Sequence, residues 1–254
     1  MTPSIIDRLR AAGCVFAEDE ARLLSGEART PAELDTMVER RVDGEPLEVI
    51  LGWAEFCGLR IVVEPGVFVP RQRSELLVRH AVTLAGPGAT VLDLCCGTGA
   101  LGAAIAAELG EIRLHAADIE PAAVRCARAN VADAGGEVYE GDLYTPLPAS
   151  LRGHVDLLIV NAPYVPTDAI AMMPPEARDH EPRVALDGGQ DGVDVHRRVA
   201  AEAPQWLAPG GHLLIETGES QAARTAVAVA HNGLTPQVIT DDELYATIVV
   251  GARG

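Results

Sequence analysis

From Thr90 onward the sequence alternates short apolar runs with helical stretches. The order is "TVLDL", a helix from Ala100, "RLHAADI", a helix opening at Pro121, "EVYEGD", "DLLIVNAPY", a helix in "DVHRRVAAEAPQWL", "HLLIET", and a helix in "SQAARTAVAVA". Parallel strands need a long crossover between them, and a helix in most of the crossovers predicts a doubly wound, mostly parallel α/β sheet. The chain then closes with "TPQVIT" and "ATIVVGA", joined only by "DDELY". So short a connection leaves no room for a crossover helix, so these two strands are expected to run antiparallel.

Ahead of that alternation the texture differs. Residues 1–50 read as helices, with "PSIIDRLRAAG" and "AEDEARLLSG" expected to end at Gly13 and Gly26. In "TPAELDTMVERR", Thr30 is a candidate N-cap, Pro31 takes the first helical position and Glu33 the capping-box position. "EFCGLRIVVEPGVFVPR" then brings β-branched runs broken by Pro65, Gly66 and Pro70, which suggests a hairpin. The expected organisation is a helical unit over 1–50, a linking hairpin over 51–70 and the α/β unit over 71–254.

Composition removes whole chemistries. All 20 basic residues are arginine, so there is no lysine for a P-loop, a pyridoxal Schiff base or a kinase phosphate site. The net charge of -17 opposes binding to a polyanion, with Arg71, Arg73 and Arg79 of "PRQRSELLVR" as a local exception. Five cysteines without C-x-x-C spacing, in a chain whose opening "MTPSIIDRLRAAG" is charged where an export signal is apolar, are read as reduced thiols. No apolar run approaches the roughly 20 residues of a membrane span, and a cytoplasmic location is expected. The seven histidines lack H-x-x-x-H spacing, and no metal is expected.

"TVLDLCCGTGALG" places Gly97, Gly99 and Gly102 in G-x-G-x-x-G spacing, after a strand and at the start of a helix. Glycines let the backbone turn tightly and approach a ligand, and the helix start offers free N–H groups. A tight turn without a ligand has the same spacing. Asp118 strengthens the ligand reading, because it ends the next strand where a carboxylate can accept both hydroxyl protons of a ribose. Asp142, after "YEG", is placed to reach an adenine amino group or to cap a loop. NAD and S-adenosyl-L-methionine both satisfy these features. "DLLIVNAPY" separates them, since Asn161, Pro163 and Tyr164 offer hydrogen-bond acceptors and an aromatic face, without the proton donor and carboxylate anchors that hydride transfer needs. S-adenosyl-L-methionine is the expected cofactor.

The chain resembles the N5-glutamine methyltransferases that modify peptide-chain release factors, whose mark is N-P-P-Y at the end of the fourth strand. The resemblance lies in "GEPLEVILGWAEFCGLRIVVEPGVFVPR", "VLDLCCGTGALG", "NAPYVP" and "EPRVALDGGQDGVDVHRRVAAEAPQWLAPGGHLLIETG". It implies a seven-stranded, Rossmann-like methyltransferase sheet with a small helical domain that docks a protein substrate presenting a glutamine. By the same resemblance Cys95, Gly97 and Gly99 line the methionine part of the cofactor, Asp118 holds the ribose, and Asp142 with Leu143 borders the adenine. Asn161 Oδ1 and the main-chain carbonyl of Ala162 would hold the substrate amide, Pro163 would fix the turn, and Tyr164 would pack against the amide plane. An amide nitrogen is a poor nucleophile, so acceptors that orient its NH2 and favour charge on it supply the catalysis.

The chain departs from the family pattern at three places. Ala162 replaces the first Pro of N-P-P-Y but keeps the carbonyl. "PRQRSE" stands for P-R-P-E-T-E, with Arg73 for an acid and Ser74 for Thr, and the helical segment is short. Competing readings are methylation of an exocyclic amine on a nucleic-acid base, methylation of a small molecule, and a cofactor-binding module without catalysis.

Overall fold

Helices α1 (Ile5–Ala11), α2 (Ala17–Glu27), α3 (Pro31–Val42) and α4 (Leu47–Leu51) open the computed structural model, which describes residues 4–254. Residues 1–3 of the expected helical unit lie outside the described residues. Leu9, Ala17, Ala21, Leu24, Met37, Val38 and Ile50 close a core belonging to these helices. Pro31 opens α3, and the Thr30 hydroxyl accepts from the Glu33 N–H at 3.1 Å. The Glu33 carboxylate takes the Arg29 N–H at 2.8 Å instead of completing the box on Thr30. The expected stop at Gly26 is not observed, since α2 runs to Glu27. A glycine costs a helix only about 1 kcal/mol relative to alanine, too little to end one that buries Ala21 and Leu24.

Strands β1 (Trp53–Phe56) and β2 (Leu59–Val62) pair antiparallel about Cys57 and Gly58, whose φ values of 49° and 73° are those of a tight hairpin turn. Asn130 fastens this hairpin to the larger unit. Its Oδ1 accepts from Val62 N–H at 2.8 Å, and its Nδ2 donates to Val62 O at 2.9 Å and to Thr98 O, in the glycine loop, at 2.8 Å.

After α5 (Glu75–Leu84) the alternation unfolds as β3 (Thr90–Leu94), α6 (Ala100–Leu109), β4 (Arg113–Asp118), α7 (Pro121–Asn130), β5 (Glu137–Glu140) and β6 (Val155–Val160). It continues through α8 (Pro175–His180), α9 (Asp194–Trp206), β7 (Leu207–Thr217), α10 (Glu219–His231), β8 (Thr235–Asp241) and β9 (Ala246–Ala252). The seven-stranded sheet has the order β5-β4-β3-β6-β7-β9-β8, with β9 antiparallel to both neighbours and the other pairs parallel.

Alternate residues of the central strands face opposite layers. Val91, Leu157, Ile159 and Leu214 pack with Leu77, Ala81 and Ile105 of α5 and α6. Leu92, Leu94, Leu158, Val160, Leu213 and Ile215 pack with Val199, Ala203 and Trp206 of α9. No helix among the described residues is long and apolar enough to cross a membrane.

Candidate active site

Strands β3 and β6 lie side by side, yet the chain leaves β3 toward β4 and β5 and leaves β6 toward β7. Open α/β sheets bind ligands at such a switch point, beyond the carboxyl ends of the strands. The register places Leu94 beside Ala117 and Val160, and Val160 beside Ile215. One residue further along each strand, Asp118, Cys95, Asn161 and Glu216 form a row. A cavity of about 1010 Å³ opens above it, lined by Cys95, Gly97, Asp118, Asp142, Leu143, Asn161, Ala162, Pro163 and Tyr164.

On the β4 side, Asp118 Oδ2 accepts from Gly97 N–H at 2.8 Å and Oδ1 from Glu120 N–H at 2.9 Å. Burial pushes this carboxyl up from the usual range, while those two N–H groups pull it down. Each oxygen keeps a lone pair for a further donor. Cys95 and Leu143 hold φ at 56° and 48°, the left-handed region that disfavours side-chain-bearing residues by about 1–2 kcal/mol. Both sit on the cavity wall, where such strain tends to collect. Asp142 lies two residues past β5, and its Oδ2 is taken by Arg198 of α9 at 2.6 Å, which leaves Oδ1 without a hydrogen bond from the described residues. Gly99 lies between Thr98 and Ala100, which line the cavity. A Cβ there would meet Ala127 at 3.1 Å, so the glycine permits the close approach of α6 to α7.

On the β6 side, Asn161 Nδ2 donates to Ser74 Oγ at 3.2 Å, and its Oδ1 takes no hydrogen bond from the described residues. Ser74 donates in turn to Glu216 Oε2 at 2.5 Å. Glu216 Oε1 accepts from the Tyr164 hydroxyl at 3.0 Å and from Arg73 Nε at 3.1 Å. The Arg73 guanidinium also stands 5.8 Å from the Tyr164 ring centroid. Burial, followed by the Glu216 charge, pushes the Tyr164 phenol well above its ordinary value. Ser74, Arg73 and Glu216 are functional neighbours that the "NAPY" motif does not announce. The available sign was a carboxylate closing the apolar run "HLLIET", the same pattern that marks Asn161.

The "ALDGGQDG" stretch fits around the backbone of this loop. Val165 N–H donates to Leu186 O at 3.0 Å, Gly188 N–H donates to Val165 O at 2.9 Å, and Gln221 Nε2 reaches Tyr164 O at 3.2 Å. A Cβ at Gly188 would lie 2.7 Å from Tyr164 Cα, and one at Gly192 would lie 2.4 Å from Tyr164 O. Those glycines let two irregular segments touch main chain to main chain. The three arginines of "PRQRSELLVR" do not form a free basic patch, because Arg71 pairs with Glu181 at 2.7 Å, Arg73 with Glu216 at 3.1 Å and Arg79 with Glu75 at 3.1 Å.

This geometry agrees with what the chain is similar to. A family model described as a methyltransferase small domain matches residues 58–173. Among solved structures, a methyltransferase from Pyrococcus furiosus shares the fold with a TM-score of 0.59 at 17% identity, over 78% of this chain and 90% of its own. A 4-amino-L-phenylalanine/4-methylamino-L-phenylalanine methyltransferase of Streptomyces pristinaespiralis is 36% identical, over 82% of this chain and 77% of its own. A release factor glutamine methyltransferase of Geobacter sulfurreducens is 38% identical over 219 residues, covering 85% of this chain and 76% of its own. With that share of residues held in common across most of both chains, and an asparagine and a main-chain carbonyl on the wall of the cleft at the switch point of the sheet, this chain belongs to the release factor glutamine methyltransferase family.

Proposed function

We propose that this protein transfers a methyl group from S-adenosyl-L-methionine to the side-chain amide nitrogen of a glutamine in a peptide-chain release factor. The observation that carries the reading is the placement of Asn161 and Ala162 on the same cavity wall as Asp118 and Gly97. When bound, S-adenosyl-L-methionine supplies an electrophilic methyl group on a sulfonium. The residues present suit it, because Asp118 is half-buried, held by two main-chain N–H groups and still able to accept two hydroxyl protons. Cys95 and Gly97 wall the part nearest β6, and Asp142 with Leu143 wall the far end.

Asn161 Oδ1 and the Ala162 carbonyl accept the two protons of the substrate NH2. That pairing orients the nitrogen and stabilises positive charge building on it, the electrostatic preorganisation that usually dominates such catalysis. Pro163 stiffens the turn that carries both acceptors, and the Tyr164 ring, anchored by its hydroxyl on Glu216, flanks the amide.

A protein acceptor agrees with the charge of -17 and with the pairing of the arginines at the cavity, which disfavour a nucleic acid. The helical unit adds Pro46 and Glu48 to the cavity wall, and we assign it the docking of the protein substrate. The five cysteines are free thiols, which suits a reducing cytoplasm.

The test is to incubate the pure protein with labelled S-adenosyl-L-methionine and a purified release factor, then map the label by mass spectrometry. A methyl group on a glutamine side chain is the expected result. Label recovered only on a small amine or a nucleic-acid base would overturn the assignment.

A further inference from the structure

Glu216 is 1% exposed and three donors converge on it, namely the hydroxyls of Ser74 and Tyr164 and the Nε of Arg73. A carboxylate paired with a guanidinium offers acceptors only, and a serine hydroxyl has one proton to give. The Ser74 proton is committed to Glu216 at 2.5 Å. Ser74 Oγ can then only accept from Asn161, so the end of the Asn161 amide that faces it at 3.2 Å is Nδ2. Oδ1 is left without a partner among the described residues, on a side chain that lines the cavity. The two ends of an amide are nearly the same in shape, and only their partners tell them apart. Here the deciding partner is a buried anion one hydroxyl away.

We propose that Glu216, acting through Ser74, fixes the orientation of the Asn161 amide so that its oxygen faces the substrate, making Glu216 and Ser74 positioning residues for methyl transfer. The inference rests on the reading of Asn161 as the group that holds the substrate amide. Replacing Glu216 by glutamine keeps the shape and adds two donors. Ser74 can then accept from the new amide and turn its own proton to Asn161, which flips. A flipped Asn161 presents N–H to the substrate N–H, donor against donor, and the acceptor pair is broken.

The experiment compares wild type with Glu216→Gln, Ser74→Ala and Ser74→Thr. Three quantities are read for each: single-turnover transfer to a release factor at saturating S-adenosyl-L-methionine, cofactor affinity by calorimetry, and the NMR signals of the Asn161 side-chain NH2. Glu216→Gln is expected to slow transfer about 10²-fold, the scale for losing one preorganised hydrogen-bonding group. Its cofactor affinity should stay within about threefold, because Glu216 lies outside the cavity wall. Ser74→Ala should slow transfer about tenfold, and Ser74→Thr, which restores the hydroxyl, should recover most of that loss. The Asn161 NH2 signals should move in Glu216→Gln and Ser74→Ala and stay in place in Ser74→Thr.

A Glu216→Gln enzyme that transfers at the wild-type rate overturns the proposal, as does one whose cofactor affinity falls as far as its rate. Should Glu216→Gln not fold, equal rates in Ser74→Ala and Ser74→Thr overturn it on their own. Wild type that leaves the release factor unmodified would count against the acceptor assignment alone. The NMR comparison would then decide the orientation of Asn161, with unmoved signals in Ser74→Ala overturning it.

Discussion

Asn161 has two chemically different ends, and the proposed transfer uses the one that accepts. Asn161→Ala should therefore cut the single-turnover rate by about 10² to 10³, the scale for deleting one preorganised catalytic group. Ala162 contributes only its carbonyl, and its N–H makes no main-chain hydrogen bond among the described residues. Ala162→Pro should leave the rate within about threefold, since neither the carbonyl nor a needed donor is lost. Asp118→Ala removes hydrogen bonds to a charged group and should weaken binding of S-adenosyl-L-methionine by about 1.5 to 3 kcal/mol, as calorimetry would measure. Unchanged affinity would take the ribose role away from Asp118. Asn161 and Asp118 were legible because each is a polar side chain ending or directly following an apolar strand, a pattern confined to a few consecutive positions. The Ser74 to Glu216 bond joins residues 142 positions apart, and no local pattern foretells such a meeting. Arg73 looked like a departure in sequence and is, in space, the cation beside a buried acid.

Elements show the same division between local and tertiary information. The brevity of "DDELY" required β8 and β9 to be antiparallel, but not that β9 would insert between β7 and β8. Burial gives the reason, for Ala246–Val250 of β9 are all buried whereas no residue of β8 is, as befits an edge strand. The short helix α8 went unread because its Pro-rich surroundings carry no periodicity. Between α9 and α10 sits His196, fully buried, with Nδ1 2.9 Å from Thr225 Oγ1 and Nε2 lacking a partner. Burial holds its imidazole at about 4, down from 6.5. The unfolded chain takes up a proton below 6.5 and the native state only near 4, so the unfolded state binds more protons in that window and stability falls as pH falls through it. The difference corresponds to about 3 kcal/mol at the acid end. Denaturation at pH 7 and at about pH 4 should show this loss in the wild type. The loss should shrink in His196→Gln, with the carboxylates common to both proteins cancelling in the comparison. Equal losses in the two would mean that His196 does not govern the acid limb.

At the scale of the whole molecule, the helical unit has a core of its own, joined to the rest by polar contacts and by Val49, which packs on Ala54, Val63 and Val69. Arg41 of α3 is buried and paired with Glu20 of α2 at 2.6 Å, and it reaches Glu176 of α8 at 2.6 Å. Glu27 of α2 accepts from Trp53 Nε1 at 2.9 Å and from Arg60 at 2.8 Å. Asp118, Gly97 and Asp142 lie far along the chain, on elements that keep their own core without α1–α4. A chain lacking residues 1–50 should therefore bind S-adenosyl-L-methionine within about threefold of wild type, because its binding groups and their packing remain. Transfer to the release factor should fall below detection, because the truncation removes the surface we assign to docking together with Pro46 and Glu48 of the cavity wall. Calorimetry reports the first outcome and label transfer the second. A truncated chain that binds cofactor and still modifies the protein at the full rate would strip the helical unit of its docking role. Loss of cofactor binding as well would make α1–α4 part of the catalytic fold, with the Arg41 to Glu176 contact the first place to look for the dependence.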